Sequence, residues 1–165
     1  ILDRPGQPPI VRSIDIGVVR LSERVLQSDP PTAEELRQAR NWIQNETEAA
    51  VATMPVPIGL TFVGTAGTIT ALAAMAQQLP AYEPARIHNY VLTLDEVKRL
   101  EAQLLSRSKQ QREGLPGLER GREDVIVAGV IILRTMMEML GMEKVLVSDL
   151  GLREGVLLEL ASRLN

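Results

Sequence analysis

The run Ile58-Gly59-Leu60-Thr61-Phe62-Val63-Gly64-Thr65-Ala66-Gly67-Thr68-Ile69-Thr70-Ala71-Leu72 constrains this chain more than any other. Its opening residues are apolar, with β-branched and aromatic side chains, which is the composition of a short buried strand. Gly64-Thr65-Ala66-Gly67-Thr68 then strips bulk from a tight turn and adds two hydroxyls. An alanine-rich helix is expected next, from Ile69 to about Gln78, capped by Thr68 or Gly67. A strand, a small-residue turn and a helix N-terminus aim free backbone N–H groups at one point, and the helix dipole adds positive potential there. The run is not a Walker A motif, because no Gly-Lys-Ser/Thr follows. It is not a dinucleotide fingerprint, because the third glycine and the distant ribose-binding acid are missing. On the pattern alone, an anion site and plain tight strand–helix packing explain the glycines equally well.

What surrounds this run has to be an ordinary apolar core. A chain of 165 residues, 45% of them hydrophobic, fits one globular domain, residues 1–165. Aromatics are only 2%, so Leu, Val, Ile, Ala and Met must fill that core, and base stacking on nucleic acid is excluded as a main mode of binding. A net charge of −3 removes the usual attraction to phosphate backbones. Without cysteine there are no disulfides and no thiolate metal sites, and a reducing compartment fits. No apolar run is long enough to span a membrane, and no signal peptide is visible. The expectation is a soluble cytoplasmic protein with neither a membrane nor a nucleic-acid partner.

Along the chain, Ile1-Leu2 reads as the tail of a strand, and Asp3 to Pro9 is turn chemistry centred on Pro5-Gly6. Ile10 to Ile16 alternates apolar and polar residues as a half-buried strand does. These pieces predict a β-hairpin cut in half, and hence a fragment of a longer protein. An unpaired strand edge would invite association, so a homodimer is one expected partner arrangement. A short helix is predicted over Val18–Leu26. Thr32 and Glu35 form a capping-box signature for a helix reaching about Ala52, and Met54-Pro55-Val56-Pro57 ends it. Tyr82 to Arg86 reads as loop and Ile87 to Leu92 as a short extended segment. Thr93 to Glu96 opens a second well-signalled helix ending near Arg107. A third, from Arg122 to Leu140, is apolar nearly all round and is stopped by Gly141. Lys144–Ser148 is a strand, and Asp149 to Gly155 turns into a last helix, Val156–Leu164. Strands alternating with helices make this an α/β chain.

Several other residue groups have bland readings that outweigh functional ones. His88 is the only histidine, so a multi-histidine metal site is excluded, and a hydrogen-bonded turn histidine is expected. The methionines at 136, 137, 139 and 142 read as helix packing, and Trp42 as packing along one helix side. Lys98, Arg99, Arg107, Lys109 and Arg112 read as a solvated face. Arg153-Glu154 is more pointed, because it lies just past a strand's C-terminal end, where α/β folds place ligand-binding residues. An arginine there can hold phosphate by two parallel hydrogen bonds, or it can simply form a charge pair on a helix N-terminus. Arg20 and Glu23 are open to the same two readings.

Four phrases in order resemble one family, from about Ile10 to the C-terminus. These are Ile16-Gly17-Val18-Val19-Arg20-Leu21-Ser22-Glu23, Gly64-Thr65-Ala66-Gly67-Thr68-Ile69-Thr70, the run from Arg122 to Leu133, and Val147-Ser148-Asp149-Leu150-Gly151-Leu152-Arg153-Glu154-Gly155-Val156-Leu157. Together they look like the exopolyphosphatase and guanosine pentaphosphate phosphatase family, Ppx/GppA. The glycine run departs from the commoner Gly-Gly-Thr-Ala-Thr wording of that family.

That resemblance implies an α/β, ribonuclease H-like, actin-like ATPase-type fold, with a mixed sheet flanked by helices and truncated at its N-terminus. The chain would be most of the second of two such domains. The other domain, a first glycine-rich loop and the catalytic glutamate would lie upstream, so no catalytic residue is assigned here and the chain alone is expected to be inactive. The implied reaction is hydrolysis of terminal phosphoanhydride bonds of polyphosphate or guanosine pentaphosphate, with Mg²⁺ whose ligands are not identifiable in this chain. Gly64, Thr65, Ala66, Gly67 and Thr68 would be a phosphate loop, with Arg153 a weaker phosphate contact and Arg20, Glu23 and Glu154 in support. Two other classes stay open: half of an actin-like kinase or ATPase, and a noncatalytic domain that binds polyphosphate or nucleotide.

Overall fold

The computed structural model of the chain describes residues 1–54, 56–57 and 59–164. Ile58, expected to open the central strand, and Pro55, in the stretch that ends the preceding helix, lie outside the described residues.

Local signals set most of the elements. Strands β1 (Leu2–Arg4) and β2 (Gln7–Ile10) pair antiparallel across a turn at Pro5-Gly6, where Gly6 takes φ +73°. The hairpin thus has both arms, on residues expected to be turn, and no strand forms over the expected stretch beyond Ile10. Alternation from residue 11 onward meets no partner strand, and Val11 stays 58% exposed. Helix α1 (Val18–Arg24) follows. Helix α2 (Ala33–Val51) begins with the expected capping box: the Glu35 N–H donates to Thr32 Oγ1 at 3.2 Å and the Thr32 N–H to Glu35 Oε2 at 2.6 Å. Glu35 Oε1 also accepts the N–H groups of Gln27 and Ser28. These donors, the Thr32 N–H foremost, hold its carboxyl down from 4.5 to about 2.

Strand β3 (Val63–Thr65) runs directly into helix α3 (Gly67–Ala76). The short helix α4 (Pro84–Ile87), with proline in its first turn, occupies most of what reads as loop in the sequence. Strand β4 (Val91–Thr93) leads into α5 (Leu94–Leu105), which carries a second capping box, Thr93 with Glu96. A one-turn helix α6 (Lys109–Arg112) starts on a third such box, Ser108 with Gln111. Helix α7 (Ile126–Met139) is capped off at Leu140, and Gly141 follows at φ +63°. Its start falls four residues later than expected, because residues 123–125 form a turn that Arg122 leads into. Strand β5 (Lys144–Ser148) precedes α8 (Leu152–Arg163), which begins early enough to take Arg153 and Glu154 into its first turn.

The sheet is mixed, with β5 in its centre. β3 pairs with β5 in parallel (Val63 opposite Leu146, Thr65 opposite Ser148), and β4 pairs with β5 antiparallel (Val91 opposite Leu146). Side chains alternate across it: Val145, Val147 and Leu92 are fully buried, whereas Val63 and Val91 are about half exposed. Helix α7 is the hub of the core. It packs against α2, α5, α1 and α3, and Ile126, Ala128, Val130 and Ile131 along it are buried. By contrast, none of the α8 side chains is buried, and Leu152, Leu157, Leu158 and Leu160 all lie in the open.

Buried charges sit inside this framework, Glu101 and Arg112 among them. Glu101, 1% exposed, continues the apolar stripe Val97-Leu100-Leu104 of α5 and is held by Arg40 at 2.8 Å and by Arg134. Arg112, read in sequence as part of a solvated basic face, is buried. Its guanidinium donates to the carbonyls of Leu104 (3.1 Å), Glu123 (3.1 Å) and Arg107 (2.6 Å) and pairs with Asp29 at 2.9 Å. An arginine offers five donors in a fixed fork, and here the fork ties one carbonyl of the last turn of α5 and two loop carbonyls to one carboxylate. Burial pulls its pKa below the usual value, with Asp29 opposing.

Candidate functional site

The glycine turn stands where two parallel strands end. Thr65, the last residue of β3, faces the last residue of β5, Ser148, and the Thr65 hydroxyl donates across the gap to the Leu150 carbonyl at 2.9 Å. Ser148 Oγ donates to the same carbonyl at 2.8 Å. The two C-terminal strand ends and the 149–151 loop are thereby locked together.

At the turn itself, Ala66 rather than Thr68 or Gly67 is the N-cap of α3, and it adopts φ 73° and ψ 175°. That left-handed value costs an L-residue about 1 kcal/mol or more, so the turn is held in shape by what surrounds it. No side chain caps α3, so the first N–H groups of a ten-residue helix, at Gly67, Thr68 and Ile69, have no intrahelical acceptor. Gly64 and Gly67 are needed for close approach. A Cβ on Gly64 would lie 3.0 Å from side-chain atoms of Ile69 and Val145, and one on Gly67 would lie 2.9 Å from Nη2 and 2.8 Å from Cζ of Arg122. Thr68 nests against α7 at Gly129, where an added Cβ would sit 2.8 Å from Thr68 Oγ1.

Arg122 is the residue that the sequence reading left unassigned. It comes from the loop before α7, and its guanidinium packs against Gly67, at the N-terminus of α3. Its Nε donates to Glu119 Oε2 at 2.7 Å, while its Nη groups make no hydrogen bond among the described residues. A cation thus adds to the dipole and the free N–H groups at one spot, which is the donor set a phosphate group needs. The only sequence signal for it was its place at the head of the Arg122–Leu133 phrase.

A second pair lies next to the turn. Tyr82 Oη donates to Asp149 Oδ1, and the Asp149 N–H donates to His88 Nδ1 at 3.3 Å. The histidine therefore has the hydrogen-bonded structural role expected of it, with a partner distant in sequence. Partial burial raises the Tyr82 pKa, and the Asp149 carboxylate adds to the rise. Tyr82 and Glu119 both line a cleft of about 410 Å³ walled by Ala74, Leu79, Pro116 and Gly117.

The remaining expected residues fall into two groups. Glu154 does brace this region: its Oε2 accepts the Gly151 N–H at 2.7 Å, a bond that holds its carboxyl below the usual range. Arg153 sits beside it, exposed and without a hydrogen bond among the described residues. Arg20 pairs with Asp15, and Glu23 serves through its carbonyl, which accepts from Gln27. No hydrogen bond or ion pair links either residue to the glycine turn. Among the described residues, no group of three or more His, Cys, Asp or Glu is arranged to hold a metal ion.

Comparison with known proteins identifies the family. The family model of the Ppx/GppA phosphatase family matches residues 2–164. The chain is 38% identical over 153 residues to exopolyphosphatase 2 of Mycobacterium tuberculosis, covering 90% of this chain and 48% of that protein. It is 28% identical to exopolyphosphatase 1 of Mycobacterium leprae, covering 92% of this chain and 45% of the relative. The crystal structure of the Aquifex aeolicus Ppx/GppA family member superposes with a TM-score of 0.83 at 32% identity, over 97% of this chain and 52% of that one. The chain therefore spans about half the length of the relatives it matches. With a mixed sheet, helices packed on it and these neighbours, its fold is of the actin-like, ribonuclease H-like class, and the chain belongs to the Ppx/GppA phosphatase family.

Proposed function

We propose that this chain supplies a phosphate-binding half-site to an enzyme that hydrolyses terminal phosphoanhydride bonds of polyphosphate or guanosine pentaphosphate. The observation that carries the reading is the Arg122 guanidinium packed against Gly67, at the uncapped N-terminus of α3. Backbone N–H groups of Gly67 and Thr68 receive one face of a phosphate, and Arg122 neutralises charge on another. Preorganised donors of this kind act without reorganisation when negative charge shifts toward a leaving phosphate. Thr65 and Glu154 hold the adjacent loop in place, and Arg153 is free to add a contact from the α8 side.

Hydrolysis also needs a water-activating carboxylate, and the acids nearest the turn are already engaged: Glu119 with Arg122, Asp149 with Tyr82 and Glu154 with Gly151. The general base and the remaining phosphate contacts are accordingly assigned to the half of the family fold that this chain does not span. The same holds for Mg²⁺, because the acids present do not converge as its octahedral oxygen shell requires.

The test is phosphate release from long-chain polyphosphate and from guanosine pentaphosphate with Mg²⁺ present. It compares this chain alone with the same chain joined to the other half of a family member. Activity confined to the joined protein supports a half-site. Turnover by this chain alone would overturn the division of labour and move the search for a base to Glu23, Asp124, Asp149 and Glu154.

A further inference from the structure

We infer that Glu119 is a positioning residue: it grips Arg122 by Nε and thereby turns both Nη groups onto the glycine turn. The inference rests on the proposed role of that turn and assigns a task to a residue outside it.

The loop carrying Arg122 is built from the inside. Buried Arg112 donates to the Glu123 carbonyl at 3.1 Å, and the Glu123 carboxylate, 5% exposed, accepts the Gly121 N–H at 2.8 Å. Gly121 takes φ +89°, and the Arg122 N–H closes a turn onto the Glu119 carbonyl at 3.2 Å. The backbone at Arg122 is therefore placed without help from its own side chain. What the frame leaves unset is the direction of a long side chain that is 36% exposed. An unrestrained arginine spreads over many rotamers, and ordering it on binding costs affinity. Glu119 removes that freedom with one hydrogen bond of 2.7 Å to Nε.

The choice of nitrogen matters. Nε lies on the side edge of the fork, so occupying it leaves the Nη groups available for a two-point grip on phosphate. A carboxylate so near an anion site repels the anion, but this one is 44% exposed and solvent weakens the repulsion. Lysine at 122 would carry the charge without an Nε, and Glu119 would have nothing to orient.

The experiment is calorimetric titration of tripolyphosphate into the 165-residue chain and its variants, with melting temperature as a control on folding. Arg122→Ala should weaken binding by tenfold or more, and Glu119→Ala by about tenfold, with melting unchanged. Glu119→Gln keeps an acceptor for Nε and should restore affinity to within about twofold of the parent. In an Arg122→Lys background, Glu119→Ala should change nothing further. If Glu119→Ala binds as well as the parent or more tightly, or if Gln fails to rescue, the positioning role is refuted while the phosphate site stands. If Arg122→Ala binds normally, or the parent does not bind at all, the site reading fails and the inference falls with it.

Discussion

The contact between Gly129 and Thr68 makes the strongest stability prediction, because it ties the hub helix α7 directly to the glycine turn. In Gly129→Ala the new Cβ would lie 2.8 Å from Thr68 Oγ1, 3.2 Å from its Cβ and closer still to its Cγ2. Carbon atoms settle at about 3.5–4.0 Å, so α7 and α3 must part by roughly 1 Å or Thr68 must leave its rotamer. Helix propensity favours alanine by about 1 kcal/mol, while overpacking a tight core costs about 1–3 kcal/mol. Thr68 is β-branched and caught between two helices, so the upper end applies, and the net loss should be about 2 kcal/mol. At this chain length that lowers the melting temperature by about 4–8 °C.

Thr68→Ala alone should cost about 1 kcal/mol by removing a partly buried methyl and hydroxyl. Together the two changes should cost less than Gly129→Ala by itself, because the Cβ then moves into the space Thr68 leaves. A double-mutant cycle by urea denaturation measures this, with an expected coupling of about 2 kcal/mol. Additive losses, or a Gly129→Ala protein as stable as its parent, would refute the argument that steric closeness at this crossing holds the turn.

Other expectations follow from the same contacts. Gly67→Val should abolish tripolyphosphate binding in a calorimetric titration while leaving the urea midpoint nearly unchanged, because what it displaces is the flexible end of Arg122 rather than backbone. Arg112→Met strands three backbone carbonyls and Asp29, and chemical denaturation should register a loss of about 3 kcal/mol or more. Glu35 has a folded pKa of about 2 against 4.5 ordinarily, so its contribution is complete above pH 4.5 and is lost as pH falls toward 2. Denaturation midpoints across that window should fall less steeply in Glu35→Gln than in the parent.

Elements written into adjacent residues were legible in the sequence. The capping boxes at Thr32 and Thr93 and the strand Lys144–Ser148 lie where expected, since each depends on partners within a few positions or on a short apolar run. The Ser108–Gln111 box had the same signature and went unread inside a polar stretch. Features set by distant partners were not legible. Residues 11–16 alternate like a strand but have no ladder to join. Arg112 looks like any surface arginine until α5, the 123–125 turn and Asp29 close around it. The site divides along the same line: the glycines announced the turn, but Arg122 reaches it from 55 positions away in sequence, and its arrival at Gly67 is a tertiary fact. The cap moved to Ala66 for a related reason, since surrounding packing imposes a backbone angle that alanine alone would avoid.

Helix α8 has a kinetic consequence. Its twelve residues bury no side chain, and a helix of that length is marginal in water when it stands by itself. Local contacts brace its two ends: the Glu154 bond at its start and the Glu159–Arg163 pair near its end. Its amides should therefore exchange with solvent deuterium through small openings, orders of magnitude faster than those of α7, and at a rate that core changes such as Gly129→Ala leave untouched. A protease should find α8 first, and cutting there would leave the sheet, the glycine turn and Arg122 folded behind it.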